Sequence, residues 1–226
     1  MQIHCILHEP FEGLAHIEKW ISCQNHNLNF TLIYQGQEFP VDFDFELLII
    51  MGGAASVYET DKNPWLLKEK RFIGEAIRLG KKVLGICFGA QILADILGGK
   101  VYHALHPEIG WFPVYFTPEA REKFEFLPDE MTAFHWHSDT FDLPPGAIPL
   151  ASSKFTVNQG FIYGDQVIAL QFHLEMTGKA INELLIAMRH NLAATEFMQS
   201  ETEIRNRVDL LRENNQLMDS FLNQLN

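Results

Sequence analysis

A chain of 226 residues, 47% hydrophobic and 20% charged, is enough for one substantial core with an appendage. A formal net charge of -12 with no Lys/Arg cluster excludes a phosphate-neutralising surface, and with it a nucleic-acid partner. The three cysteines, Cys5, Cys23 and Cys87, are odd in number and widely spaced, which excludes a disulfide framework and suits reduced thiols in the cytoplasm.

No run approaches membrane-spanning length, and the opening MQIHCILHEP lacks the basic-then-apolar pattern of a leader, so no membrane association is expected. No internal repeat is evident. Residues 3 to 7 read as a buried strand, and Leu14, Ile17, Trp20 and Ile21 form a helical stripe after Gly13. Residues 29 to 34 are predicted as a second strand. Residues 45 to 51 are apolar at nearly every position, as in a parallel strand covered on both faces, and end in Gly52-Gly53. Asn63-Pro64 opens a helix marked by Leu66, Leu67, Phe72, Ile73, Ala76 and Ile77 and closed by Gly80. Residues 83 to 86 form another short apolar run, after which Ile92, Leu93, Ile96 and Leu97 fall at helical spacing. The period changes at Cys87. This alternation predicts an α/β fold, a doubly wound and mostly parallel sheet with helices on both faces and its site beyond the carboxyl ends of the strands.

In the second half, residues 101 to 103, 111 to 116, 132 to 137 and 155 to 163 read as short strands, expected as antiparallel additions. Residues 167 to 175 return to a buried strand, and residues 180 to 192 to a helix. Residues 196 to 226 are polar, with Ile204, Val208, Leu211, Met218, Leu222 and Leu225 at helical intervals. The expected organisation is a domain over residues 1 to 194 and a C-terminal amphipathic helical extension over 195 to 226. Its apolar stripe must be covered, either by its own domain or by a second copy in a homo-oligomer.

Cys87 draws attention by its position. Gly85 and Gly89 bracket it as the G-x-C-x-G counterpart of the strained nucleophile elbow. Such a corner sets the thiol at a helix N-terminus, where unpaired amides favour the thiolate. A lone cysteine in an apolar strand is otherwise a small buried hydrophobe, so the catalytic reading needs a base. The segment Gln171-Phe172-His173-Leu174-Glu175 offers one. On a strand, residues two apart share a face, so His173 and Glu175 project together, and the carboxylate can fix the imidazole tautomer.

These two segments, with Gly52-Gly53 upstream, resemble the class I glutamine amidotransferases, in particular free-standing proteins similar to the glutaminase domain of GMP synthase. The resemblance spans about residues 45 to 175. It implies that family's flavodoxin-like fold, Cys87 as nucleophile, His173 as base and Glu175 as its orienter. It further implies an oxyanion hole from the Gly53 and Phe88 amides. Gly52, Gln91 and the segment His137-Ser138-Asp139 would lie at the substrate. Ala90 stands where many members have His or Met, and Leu174 where most have Pro, a change expected to loosen the approach of Glu175 to His173.

The implied reaction is hydrolysis of glutamine to glutamate and ammonia through a thioester, with no cofactor. Nothing in the chain looks like an ATP-dependent synthetase, so the acceptor of the ammonia is expected on a separate subunit. A γ-glutamyl peptidase or hydrolase on the same triad is the alternative, and a non-catalytic regulatory relative a third. His135 and His137, two apart with Asp139 near, invite a metal. Without a further ligand at ordered spacing they are expected to be structural, with no metal bound. Trp111 and Trp136 read as core or pocket lining.

Overall fold

The computed structural model describes residues 1 to 188 and 194 to 226. Strand β1 (Gln2–Leu7) leads to helix α1 (His16–Cys23), strand β2 (Asn27–Leu32) and strand β3 (Leu47–Ile50). Helix α2 (Trp65–Arg78), strand β4 (Lys82–Ile86) and helix α3 (Phe88–Ile96) complete the first half. The second half holds β5 (Val101–Phe116), α4 (Pro118–Lys123), β6 (Glu130–Phe141), β7 (Ile148–Ser152), β8 (Gly160–Tyr163) and β9 (Val167–Leu170). Helices α5 (Gly178–Ala187), α6 (Glu201–Arg205) and α7 (Leu211–Gln224) follow.

All the strands form one nine-stranded sheet in the order β2-β1-β3-β4-β9-β8-β7-β5-β6. The first five in that order are parallel, and β8, β7, β5 and β6 extend the sheet with antiparallel pairings. Alternation along each central strand divides the core. Ile3, Leu47, Ile49, Leu84 and Ile86 face a layer built by α1 and α7, through Ile17, Trp20, Met218, Phe221 and Leu222. Ile6, Leu48, Ile50 and Val83 face α2 and α3, through Leu66, Ile73, Ile92 and Leu93. Both faces are therefore covered, as the continuous apolar runs require.

Several boundaries differ from those expected. The second strand starts and stops two residues early, because Ile33–Gln35 tightens into a 3-10 turn closed by Gly36 at φ 71°. The two short strands expected over 101 to 116 are one strand whose register breaks between His103 and Glu108. Of residues 155 to 163 only Gly160–Tyr163 is strand, and Ile148–Ser152 is an additional one. The helix expected over 180 to 192 is described for Gly178–Ala187, with residues 189 to 193 of that expectation outside the described residues.

The C-terminal stripe is covered by its own chain. Phe221 meets Phe124 and Phe126 edge-on, at ring distances of 6.0 and 5.3 Å. Val208 leaves the stripe, lying half-exposed in a 3-10 turn between α6 and α7. Trp20 Nε1 donates to Asn223 Oδ1 at 2.8 Å, and His16 Nε2 meets Asp219 Oδ1 at 2.9 Å, tying α1 to α7. Trp20→Phe, which keeps a buried ring and loses that hydrogen bond, is expected to cost about 1 kcal/mol and lower Tm by about 2–4 °C. Thermal denaturation checks this, with Asn223→Ala expected to add little further loss once Trp20 is replaced. Among the described residues no helix is long and apolar enough to cross a membrane.

Candidate active site

Four neighbouring parallel strands, β1, β3, β4 and β9, end at the same edge of the sheet. The residues just past those ends are His8, Gly52-Gly53, Cys87 and the segment around His173. Sequence order scatters these groups along the chain, and strand order gathers them.

Cys87 is the single residue between β4 and α3, at φ 53° and ψ -105°, a region that side-chain-bearing residues seldom occupy. Its amide donates to the Leu170 carbonyl at 2.7 Å, and its carbonyl accepts from the Ala90 and Gln91 amides at 3.0 and 3.1 Å. Both flanking glycines are required by close approach. A Cβ on Gly85 would strike the Gly89 carbonyl and Leu93, and one on Gly89 would strike the Ile50 carbonyl. Helix α3 thus rests directly on the ends of β3 and β4, and Cys87 opens onto a cavity of about 260 Å³.

Strand β9 stops at Leu170, so the segment expected to continue it is irregular, with one antiparallel bridge between His173 and Phe134. The shared face survives. His173 Nδ1 donates to Glu175 Oε1 at 2.7 Å with both residues buried, so Leu174 in place of proline does not loosen this contact. Nδ1 is thereby the protonated nitrogen, and Nε2 has no other partner. Burial alone would lower the His173 pKa, yet the Glu175 carboxylate, with a contribution from Cys87, holds it well above the ordinary histidine value. Burial pushes the Cys87 thiol up, against the pull of His173 and the Phe88 amide. The helix terminus therefore does not by itself yield the thiolate expected from the sequence; proton transfer to His173 must. In the resting arrangement the Cys87 thiol donates to the Trp136 carbonyl at 3.6 Å.

His8, not singled out in the sequence, is the group that orients the glycine pair. Its Nδ1 lies 2.9 Å from the Gly52 carbonyl and its Nε2 2.9 Å from Glu69 Oε1, two acceptors that together call for the doubly protonated ring. Burial opposes that charge, but Glu69 and the Gly52 carbonyl raise the His8 pKa. The peptide is planar and trans, so a Gly52 carbonyl held toward His8 turns the Gly53 N–H the other way. The position of His8 at the end of β1 was the available signal. Glu12, also unflagged, is buried against Gly52, and its burial raises its pKa.

The remaining predicted residues line the cavity to different degrees. Gln91 donates from Nε2 to the Asp139 carbonyl at 3.3 Å and to Gln171 Oε1 at 3.1 Å, which fixes its side chain at the wall. The Asp139 carboxylate accepts from Ser56 Oγ at 2.7 Å and Tyr58 Oη at 3.3 Å, and meets His103 Nδ1 at 3.1 Å. It pins the loop after Gly53 over the pocket. Ser138 lies exposed on the rim. His137 is on the wall, but Nδ1 donates to the Asp139 carbonyl at 3.1 Å and Nε2 faces Glu108 at 3.5 Å. His135 and His137 accordingly converge with Glu108 and not with the Asp139 carboxylate. Burial holds the His135 pKa well below the usual range and brings His137 to about 4, so both rings are neutral.

Comparison with known proteins agrees with this geometry. The family model described as glutamine amidotransferase class-I matches residues 16–191. The glutamine amidotransferase-like protein YfeJ of Salmonella typhimurium is 30% identical over 215 residues, 91% of this chain and 90% of that one. GMP synthase [glutamine-hydrolyzing] of Thermomicrobium roseum is 35% identical over 160 residues, covering 65% of this chain but only 28% of the relative. The crystal structure of a glutamine amidotransferase from Thermotoga maritima superposes with a TM-score of 0.89 at 28% identity, over 100% of this chain and 97% of that one.

Proposed function

Because the chain belongs to the class I glutamine amidotransferase family, we propose that it hydrolyses the side-chain amide of glutamine with Cys87, His173 and Glu175. The meeting of a cysteine held at positive φ with a buried imidazole–carboxylate pair, at the floor of one cavity, carries this proposal. Cys87 passes its proton to His173 Nε2 and its sulfur bonds to the amide carbon, while the carbonyl electrons move onto oxygen. The Gly53 and Phe88 amides receive that oxyanion. As the carbonyl reforms, the C–N bond breaks and His173 gives its proton to the departing ammonia. Water, deprotonated by His173, then cleaves the thioester to glutamate.

Gly52 and Gln91, with Ser138 and Asp139, would hold the amino-acid end, and the His137 ring would act only through the wall it supports. The cavity is just below the roughly 300–1,000 Å³ of drug-sized sites, a scale that suits a free amino acid. The ammonia acceptor is assigned to a separate synthetase subunit, since the Thermomicrobium roseum GMP synthase has most of its length unmatched by this chain. A cytoplasmic location fits the three free cysteines.

Release of ammonia and glutamate from glutamine and from a panel of γ-glutamyl dipeptides tests the substrate. Glutamine is expected to be the better substrate; faster turnover of the dipeptides would make the protein a γ-glutamyl peptidase, and no release from any would overturn the proposal. His8 supplies a second test. His8→Phe frees the Gly52–Gly53 peptide to turn, and the loss of one oxyanion donor is expected to lower kcat by about 100- to 1,000-fold with KM little changed. Because the His8 pKa is raised on folding, its stabilising contribution is complete below the ordinary histidine value and is lost as pH rises through its own. Denaturation curves of wild type and His8→Phe across that window should converge at the alkaline end.

A further inference from the structure

Beneath the pocket wall, the antiparallel β5–β6 ribbon sets Glu108 directly opposite His137, and His135 follows two residues away on the same face. The ligand-capable atoms of these three residues lie within 4.8 Å of one another, and all three side chains are buried. His137 Nδ1 donates to the Asp139 carbonyl at 3.1 Å, which leaves Nε2 a bare lone pair facing Glu108 Oε2 at 3.5 Å. Two acceptors do not face each other in a dry site without a proton or a cation between them. His135, 0% exposed, has no hydrogen-bond partner on either ring nitrogen. Buried polar atoms are nearly always satisfied, so this ring calls for an explanation.

We propose that Glu108, His135 and His137 bind one divalent transition-metal ion, best matched by Zn²⁺, which fastens β5 to β6 under the substrate pocket. Tetrahedral zinc with bonds of about 2.0–2.1 Å spaces its ligand atoms about 3.3 Å apart. The His137–Glu108 edge is already 3.5 Å, and the His135 ring completes the triangle by a small movement inward. The surroundings are those of a metal site as well. The His137 N–H is spent on a backbone carbonyl, and the Glu108 carboxylate accepts from Ser153 Oγ at 2.6 Å and Gln159 Nε2 at 2.7 Å. Such outer hydrogen bonds aim ligands at a metal. Two imidazoles with one carboxylate favour zinc and its first-row neighbours over magnesium or calcium. The strand segment so fastened carries Trp136, Ser138 and Asp139, all on the pocket wall.

The test titrates ZnCl₂ into chelator-treated full-length protein, with calorimetry for stoichiometry and thermal denaturation for stability. Cys87→Ala is measured in parallel, because the thiol is itself a zinc ligand. About one equivalent should bind in both proteins and raise Tm by about 5–10 °C at saturating metal. Glu108→Gln, whose amide can donate to His137 as a protonated carboxyl would, should lose both effects, and His135→Phe should do the same. If His135→Phe fails to fold, Glu108→Gln decides alone. No zinc binding by the wild type, with Glu108→Gln as stable as the parent, would show a shared proton in place of a metal and overturn the proposal. Binding that survives Glu108→Gln and vanishes with Cys87→Ala would overturn it equally.

Discussion

Cys87→Ala is expected to reduce glutamine turnover by about 10⁵- to 10⁶-fold, to background, because no other atom in the cavity can form the thioester. His173→Ala should fall nearly as far. Burial raises the Cys87 thiol, so a variant lacking the imidazole has no group to take the proton. Glu175→Gln should retain the most activity of the three and still lose about 10³- to 10⁴-fold. The 2.7 Å contact between His173 Nδ1 and Glu175 Oε1 sets the tautomer, and an amide in its place either reverses that preference or leaves a buried donor unmatched. Steady-state rates on variants first shown to be folded test this order. A Glu175→Gln protein within 10-fold of wild type would remove the carboxylate from the mechanism.

Gly89→Val is expected to be among the most destabilising single substitutions in the chain, at about 4 kcal/mol or more. Its Cβ would fall on the Ile50 carbonyl, backbone that cannot step aside while β3 stays paired with β1 and β4. Relief requires α3 to lift from the sheet, which strips cover from Ile92 and Leu93 and displaces Cys87 together with the Phe88 amide. Stability and turnover should therefore fall together. Chemical denaturation checks the first; a Gly89→Val protein with a wild-type midpoint would mean that the elbow is not packed as described.

The parallel half of the fold was readable because strands covered on both faces must be apolar throughout, so β1, β3 and β4 announce themselves as unbroken runs. Cys87 was readable because periodicity changes there between two glycines. The antiparallel half was harder. β5 carries Pro107 and Pro113 and breaks register after His103, so one long strand looks like two short ones. The Gln171 to Glu175 segment was assigned to the right chemistry by the wrong local structure, since its pair meets by hydrogen bonding past a strand's end and not along a strand. His8, Glu69 and Glu108 were missed for a common reason. Each acts through a partner between 29 and 61 residues away, His137 for Glu108 and Glu69 for His8, and no local pattern encodes such pairing. The C-terminal stripe could be recognised as buried, but its cover, α1 with Phe124 and Phe126, comes from distant segments.

Selective alkylation is the most direct test of Cys87 as the nucleophile. The folded protein is treated with a limiting amount of a glutamine-like electrophile, with and without excess glutamine, and the three cysteines are mapped by mass spectrometry. Simple exposure would favour Cys23, which lies on the surface while Cys5 and Cys87 are buried. The account predicts the reverse, with Cys87 modified first, glutamine protecting it, and the modification disappearing in His173→Ala. Labelling of Cys23 ahead of an inert Cys87, unaffected by glutamine, would contradict it.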